Sequence, residues 1–271
     1  MTGGPGWQSL LFVPVGAGRH LASAIRHRPD AVILDLEDAI PAAQKAAARA
    51  QLPQDLAALA EAGIAAVVRV NAPLPDMVRD LAAAGGGALA AVLVPKVEDP
   101  RAVLNAAELS GVGVIALIET PAALDRLGRI ARTPGLVGLM LGSEDYSAAL
   151  GIDPQGGGLD LPAGMIAAAA AACGVLAIGF PGSIAEFRDL DRYGANLRRG
   201  RALGMAAVAA IHPAQLPLIR QIMAPTEAEQ AWAGRVLAAL PADGGVAALD
   251  GAMIDAPVLA RARRILARAG A

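Results

Sequence analysis

Cysteine is almost missing from this chain. Cys173 is the only one in 271 residues, so no disulfide framework can form within it, and a reducing compartment is expected. Cys173 lies in an Ala-rich apolar stretch with no histidine near it in sequence, which reads as an inert buried thiol and not a nucleophile. Aromatic residues amount to 3%, too few for the stacking platforms that hold single-stranded nucleic acid. Charge of one sign is also lacking. Lys and Arg total 23 against 25 Asp and Glu, a net charge of −2, which offers no global attraction to nucleic acid or anionic membrane. Of the three histidines, His20 and His27 fall in one expected helix and His212 stands alone, so no zinc-type cluster is evident. MTGGPGWQSLLFVPV at the start lacks the basic leader of a signal peptide. Residues 161–185 carry no charge, but Gly174, Gly179, Pro181 and Gly182 interrupt them. They read as a helix followed by a strand, not as a membrane span. A soluble cytoplasmic protein is the expectation.

What is abundant is short apolar runs. LLFVPV (10–15), AVILDL (31–36), AAVVRV (65–70), AAVLVP (90–95), VGVIALIE (112–119), LVGLML (136–141), GVLAIGF (174–180) and AAVAAIHP (206–213) recur along the chain. Most lack polar alternation, as parallel strands covered on both faces do. Helix-compatible segments lie between them, including 42–63 and 121–133. Asp99–Pro100 and Thr120–Pro121 supply helix starts. Repeated βα units with no glycine-rich nucleotide fingerprint predict a (β/α)8 TIM barrel, with a doubly wound open sheet as the competing arrangement. The barrel is expected over residues 1–223. Residues 224–271 form a C-terminal helical extension, opened by a capping box at Thr226 and Glu229.

In such a barrel the chemistry sits at the C-terminal ends of the strands. Here those ends carry Asp35, Glu37 and Asp38; Arg69 and Asn71; Lys96; Glu119; Gly142, Ser143, Glu144 and Asp145; and His212. The starts of the strands are almost bare. VILDLEDAI (32–40) is the sharpest case, because burying unpaired carboxylates is costly. A shared rim, where Arg69, Lys96 or a cation compensates them, removes that difficulty. Glu119 and Asp145 are one βα unit apart, and carboxylates from neighbouring strand ends can share a Mg²⁺. One ligand plus one solvated loop acid fits the spacing as well. Arg69 closes an apolar strand and should face an anion, either Asp35 and Glu37 or a substrate oxygen. Lys96 reads as a Schiff-base lysine or, with Val97–Glu98 beside it, as a partnered structural one. The arginines at 198, 199 and 201, and those at 261, 263, 264 and 268, read as solvated helix faces.

LFVP, VILDLEDAI followed by Lys45 and Arg49, VVRVN, LVPKVE, ALIET, GSEDYSAALG, IHPAQ and DGAMIDAP occur in this order. With them the chain resembles the citrate lyase beta-subunit-like and malyl-CoA lyase-like branch of the HpcH/HpaI aldolase/citrate lyase superfamily. The resemblance spans nearly the whole chain. It implies a Mg²⁺-dependent carbon–carbon lyase of cytoplasmic type, usually a homotrimer, that cleaves or forms a small β-hydroxyacyl thioester such as citryl-, malyl- or citramalyl-CoA through an enolate. By motif it implies Glu119 and Asp145 as metal ligands. Arg69 becomes the holder of the substrate carboxylate or enolate oxygen, with Gly142 and Ser143 beside the substrate. Asp35 and Glu37 become a catalytic acidic pair near the metal and its waters. Asp255 becomes the acid that reaches a neighbouring subunit's site, which would give the extension its role. The thioester carrier would be CoA or an acyl-carrier protein.

The chain departs from the family pattern in places. Gly179 stands where relatives commonly have an acid, Val15, Ala17 and Gly18 replace a Gly and Arg-Pro segment, and Val208 replaces a lysine. These departures concern substrate handling. They leave room for an aldolase acting on free 2-oxo acids such as pyruvate, or for a catalytically idle barrel that binds a metabolite.

Overall fold

The computed structural model describes residues 5–239, 247–249 and 252–269. The chain divides into two compact units, Met1–Arg220 and Gln221–Ala271.

The first unit alternates strand and helix throughout. Its order is β1 (Ser9–Pro14), α1 (Gly18–His27), β2 (Ala31–Asp35), α2 (Lys45–Glu61), β3 (Ala65–Arg69), α3 (Leu74–Ala84), β4 (Leu89–Val94), α4 (Pro100–Ser110), β5 (Gly113–Ile118), α5 (Pro121–Asp125), α6 (Leu127–Ala131), β6 (Leu136–Leu141), α7 (Ser143–Leu150), α8 (Asp160–Cys173), β7 (Leu176–Ile178), α9 (Leu190–Ala202) and β8 (Val208–Ala210). The strands form one eight-stranded sheet in the order β7-β6-β5-β4-β3-β2-β1-β8. Its ladders are parallel. The seam between β7 and β8 is closed by a parallel bridge from Ile178 to Ala207 and by the Gly179 amide donating to the Ala207 carbonyl at 2.8 Å. The result is the α/β barrel that eight recurrent apolar runs predict.

Side chains alternate across each strand, so one column of residues fills the barrel. Leu10, Ile33, Val67, Leu93, Ile115, Leu117 and Met140 belong to that interior cluster. Two residues beyond Ile33, Val67 and Leu117 come Asp35, Arg69 and Glu119. The polar groups are thus the last rungs of inward-facing columns. They emerge where the barrel opens, which is why runs this apolar end in charge.

Helix starts follow their sequence signals. The Asp99 side chain accepts from the Arg101 amide, and Thr120 accepts from Ala123. The helix expected over 121–133 is instead two short ones, because Arg126 at φ −98°, ψ 8° leaves the helical region between α5 and α6. Cys173 ends α8 and is half-buried, so its expected full burial is corrected. The uncharged stretch 161–185 divides into α8 and β7. Among the described residues no helix is long and apolar enough to cross a membrane.

Leu216–Met223 (α10) contains the division between the units. The second unit continues with α11 (Glu227–Ala238), a hairpin of β9 (Ala247–Leu249) and β10 (Ala252–Ile254), and α12 (Ala256–Ala269). Thr226 and Glu229 form the expected reciprocal cap. Ala233, Val236, Ile254 and Ala262 make a small core, and the Arg261 guanidinium sits 4.7 Å from the Trp232 ring centroid.

Candidate active site

A cavity of about 360 Å³ opens at the C-terminal ends of the strands. Asp35, Arg69, Glu119, Gly142, Ser143 and Asp145 all line it. These are six of the residues expected to act together, brought from β2, β3, the end of β5, and the β6–α7 turn.

Arg69 is held from several directions. Its Nε donates to Asp35 Oδ1 at 2.7 Å and its Nη2 to Asp35 Oδ2 at 2.6 Å, a bidentate pair. Nη1 lies 3.0 Å from Glu37 Oε2 and 3.5 Å from Asp38 Oδ2. The guanidinium also stands 5.2 Å from the Phe12 ring centroid. Asp35 in particular, through its hydrogen bonds and charge, raises the guanidinium pKa against the effect of burial, so Arg69 stays cationic. Asp35 accepts further bonds from the Glu37 amide at 2.8 Å and the Ala39 amide at 3.2 Å. Both Asp35 oxygens are therefore occupied by protein donors.

Glu37 is buried, and it does not line the cavity. Its Oε1 accepts from Lys96 Nζ at 3.0 Å. Burial, and then its hydrogen bond with Asp38, raise its pKa. Of the two readings of Lys96, the partnered one has its partner in Glu37. Lys96 has a further role that its side chain does not announce. Its backbone takes a left-handed φ of 53°, which aims its amide at Glu119 Oε1, 2.6 Å away.

Glu119 is 3% exposed. Burial pushes its carboxyl up to about 8; the Lys96 amide pulls the other way, and the charge of Asp145 and a side-chain hydrogen bond to it add to the rise. The two carboxyls thus touch, one from the barrel interior and one from the exposed first turn of α7. Gly142 makes room for them. A Cβ there would lie 2.5 Å from Glu119 Cβ and 2.9 Å from Glu119 Oε2. The α7 N-terminus has no side-chain cap, and its first residues, Ser143, Glu144 and Asp145, line the cavity.

A second layer braces the β2 and β3 ends. Lys45 Nζ donates to the Leu36 carbonyl at 2.9 Å, to the Glu37 carbonyl at 3.0 Å, and to Asn71 Oδ1. Asn71 donates through its backbone and its side chain to Asp80 Oδ2, each at 2.7 Å. Asp80 is fully buried, and it also accepts from Arg49 Nε at 2.6 Å. Sequence reasoning did not find Asp80, which looked like one more acid on a helix. The signal available was Lys45 and Arg49 following the acidic motif.

His212 caps the turn after β8 through Nδ1, which accepts from the Ala214 amide at 3.2 Å. Gly179 takes φ +124°, a conformation unsuited to a side chain. Asp255 belongs to the second unit. Its carboxylate accepts from the Val258 amide at 3.0 Å, at the start of α12.

Two touching carboxyls, Glu119 held protonated chiefly by burial and further by Asp145, can give up that proton to a divalent cation and offer it the few carboxylate oxygens that such an ion takes beside water or substrate ligands. Among the described residues no group of three or more acid, His or Cys side chains is assembled for a metal.

The family model for HpcH/HpaI aldolase/citrate lyase matches residues 8–213. The chain belongs to the HpcH/HpaI aldolase/citrate lyase family. It is 38% identical to a citrate lyase subunit beta-like protein of Mycobacterium tuberculosis, covering 98% of this chain and 96% of that one. It is 32% identical to a (3S)-malyl-CoA thioesterase of Cereibacter sphaeroides, over 98% and 95% of the two chains. Among solved structures it is similar to CitE of M. tuberculosis in complex with magnesium, acetoacetate and coenzyme A, with a TM-score of 0.79, 35% identity, and coverage of 100% and 99%. As a citrate lyase beta-subunit-like member of this lyase and aldolase family, the chain is an enzyme.

Proposed function

We propose that this enzyme is a Mg²⁺-dependent carbon–carbon lyase acting on a small β-hydroxyacyl thioester, of the citryl-, malyl- or citramalyl-CoA kind. The observation that carries the reading is the Glu119–Asp145 contact facing the Arg69 side of one cavity. Similarity to a protein solved with magnesium, acetoacetate and coenzyme A supports it.

Glu119 and Asp145 would hold the cation, which supplies Lewis acidity and orients the reacting oxygens. The protein groups do the rest. Cleavage passes the β-hydroxyl proton to solvent water, breaks the bond to the α carbon and leaves an oxo acid and the enolate of the acyl thioester. Proton delivery to the α carbon completes the acyl product. Arg69 lines the cavity with one hydrogen to spare, on Nη2, and stabilises the negative charge as it develops, where binding lowers the barrier. Asp35 and Glu37 act through Arg69 and Lys96: they fix the guanidinium and keep it charged. The amides and hydroxyl at Gly142 and Ser143 receive the substrate carboxylate. The proton donor to the α carbon is Asp255, supplied by a neighbouring subunit of a homotrimer.

The test is a panel of hydroxyacyl-CoA thioesters and free hydroxy-oxo acids, assayed with and without Mg²⁺. Release of acyl-CoA and oxo acid from a thioester, only with Mg²⁺, is expected. Cleavage confined to the free acids would replace the reading with a pyruvate-type aldolase.

A further inference from the structure

Lys96 is the odd residue among the strand ends. Among the described non-glycine residues only Arg28 and Lys96 take a left-handed φ, at 48° and 53°. That conformation is uncommon for a residue with a Cβ and is held only where the surroundings require it. Val94 is in register with Ala116 of β5, and the Val97 amide donates to the Leu117 carbonyl at 3.4 Å. Between these two positions Lys96 turns its amide away from the ladder and onto Glu119 Oε1, at 2.6 Å. Its ammonium goes elsewhere. It reaches Glu37 Oε1 at 3.0 Å from a side chain that is 48% exposed. Backbone and side chain therefore serve two different acids, and substitution can separate them.

The second oxygen of Glu119 lies toward the next strand. Oε2 is 2.9 Å from the place a Cβ would take on Gly142, the residue that precedes the helical turn carrying Asp145. One oxygen is thus tied to the β4 end and the other stands on the β6 side. Resting on the reading that Glu119 and Asp145 hold the cation, we propose that the left-handed turn at Lys96 is a positioning device. It makes Glu119 a ligand through Oε2 alone, and so favours Mg²⁺ over Ca²⁺. The amide fixes the carboxyl and draws electron density from Oε1, which opposes chelation by both oxygens. Mg²⁺ takes one or two carboxylates at about 2.0–2.1 Å in near-ideal octahedral geometry, whereas Ca²⁺ accepts bidentate carboxylates at about 2.3–2.6 Å in larger, looser shells. A carboxyl that offers one oxygen suits the smaller ion. The ammonium of Lys96 is not needed for this role.

The full-length protein and its Lys96→Asn, Lys96→Gly and Lys96→Val variants, each checked for folding by circular dichroism, are titrated calorimetrically with Mg²⁺ and with Ca²⁺ at pH 8. All three substitutions remove the ammonium. Asparagine and glycine accept a left-handed φ, and a β-branched residue resists it. Lys96→Asn and Lys96→Gly should hold Mg²⁺ within about threefold of the unmodified protein, against the ten- to hundredfold that loss of a ligand's hydrogen-bond partner usually brings. Lys96→Val should lose at least about tenfold in Mg²⁺ affinity, and its ratio of Mg²⁺ to Ca²⁺ affinity should fall by about tenfold. Unchanged Mg²⁺ affinity, or an unmoved ratio, in folded Lys96→Val overturns the inference. Loss of about tenfold or more in folded Lys96→Asn and Lys96→Gly assigns the effect to the ammonium and overturns it too, whether or not Lys96→Val folds. If the unmodified protein binds neither ion, the metal reading falls and takes the inference with it.

Discussion

Glu119 and Gly142 form the tightest constraint in the site. Alanine at position 142 puts a methyl group where Glu119 Cβ already is. Gly142→Ala should cost about 1–3 kcal/mol in stability. By displacing the Glu119 carboxyl it should lower kcat about a hundredfold. Denaturant unfolding and steady-state assays of the one variant check both numbers. Glu119 also makes stability depend on pH. Its folded pKa is raised from 4.5 to about 8, so between those values the folded state holds a proton that the unfolded state has lost. The metal-free protein should therefore lose stability as pH rises from about 5 to 8, the reverse of a salt-bridged carboxylate. Thermal unfolding of chelator-treated protein across that range reads the slope, and Mg²⁺ should flatten it.

At the scale of elements, the sites of charge depend on strand ends held in register. Asp35 pairs with Arg69 across the β2–β3 ladder, and the brace of Lys45, Asn71, Asp80 and Arg49 fixes the turns that follow. Asp80→Ala leaves Arg49 and Asn71 without their shared acceptor. It should destabilise by about 3–5 kcal/mol, the usual range for opening a buried charge pair, measurable as a lower urea midpoint. Little of this brace could be read from the chain. The strands could, because runs such as VILDL and AAVVRV have no polar face and can only be buried on both sides. The rim could also be read, because a period of two places Asp35, Arg69 and Glu119 on the same side as Ile33, Val67 and Leu117. Partnership is different. Asp80 on α3 meets Asn71 only because of how the chain turns between them, and no local pattern distinguishes it from a solvated helix acid. Lys96 clamps Glu119 through a backbone amide, and side-chain chemistry gives no sign of a left-handed φ. Gly142 was expected beside the substrate; its close approach to Glu119 is a packing fact between two strands that sequence spacing does not contain.

At the scale of the whole molecule, the chain has a barrel that carries the polar mouth and a second unit that carries Asp255. A shared active site predicts complementation between subunits. Arg69→Ala and Asp255→Ala chains, each inactive alone, should regain about a quarter of the activity when co-folded in equal amounts, the share of sites left with both groups intact under random assembly. Verified hybrids with no recovery would place Asp255 outside the reaction. Everything else in the functional reading depends on whether Glu119 and Asp145 hold a divalent ion. Calorimetric titration of Mg²⁺ at pH 8 into the unmodified protein and into Asp145→Asn tests that most directly. Saturable binding at one site per chain, weakened more than about a hundredfold in the variant, is the expected result. Unchanged Mg²⁺ affinity in a folded Asp145→Asn protein would contradict the account.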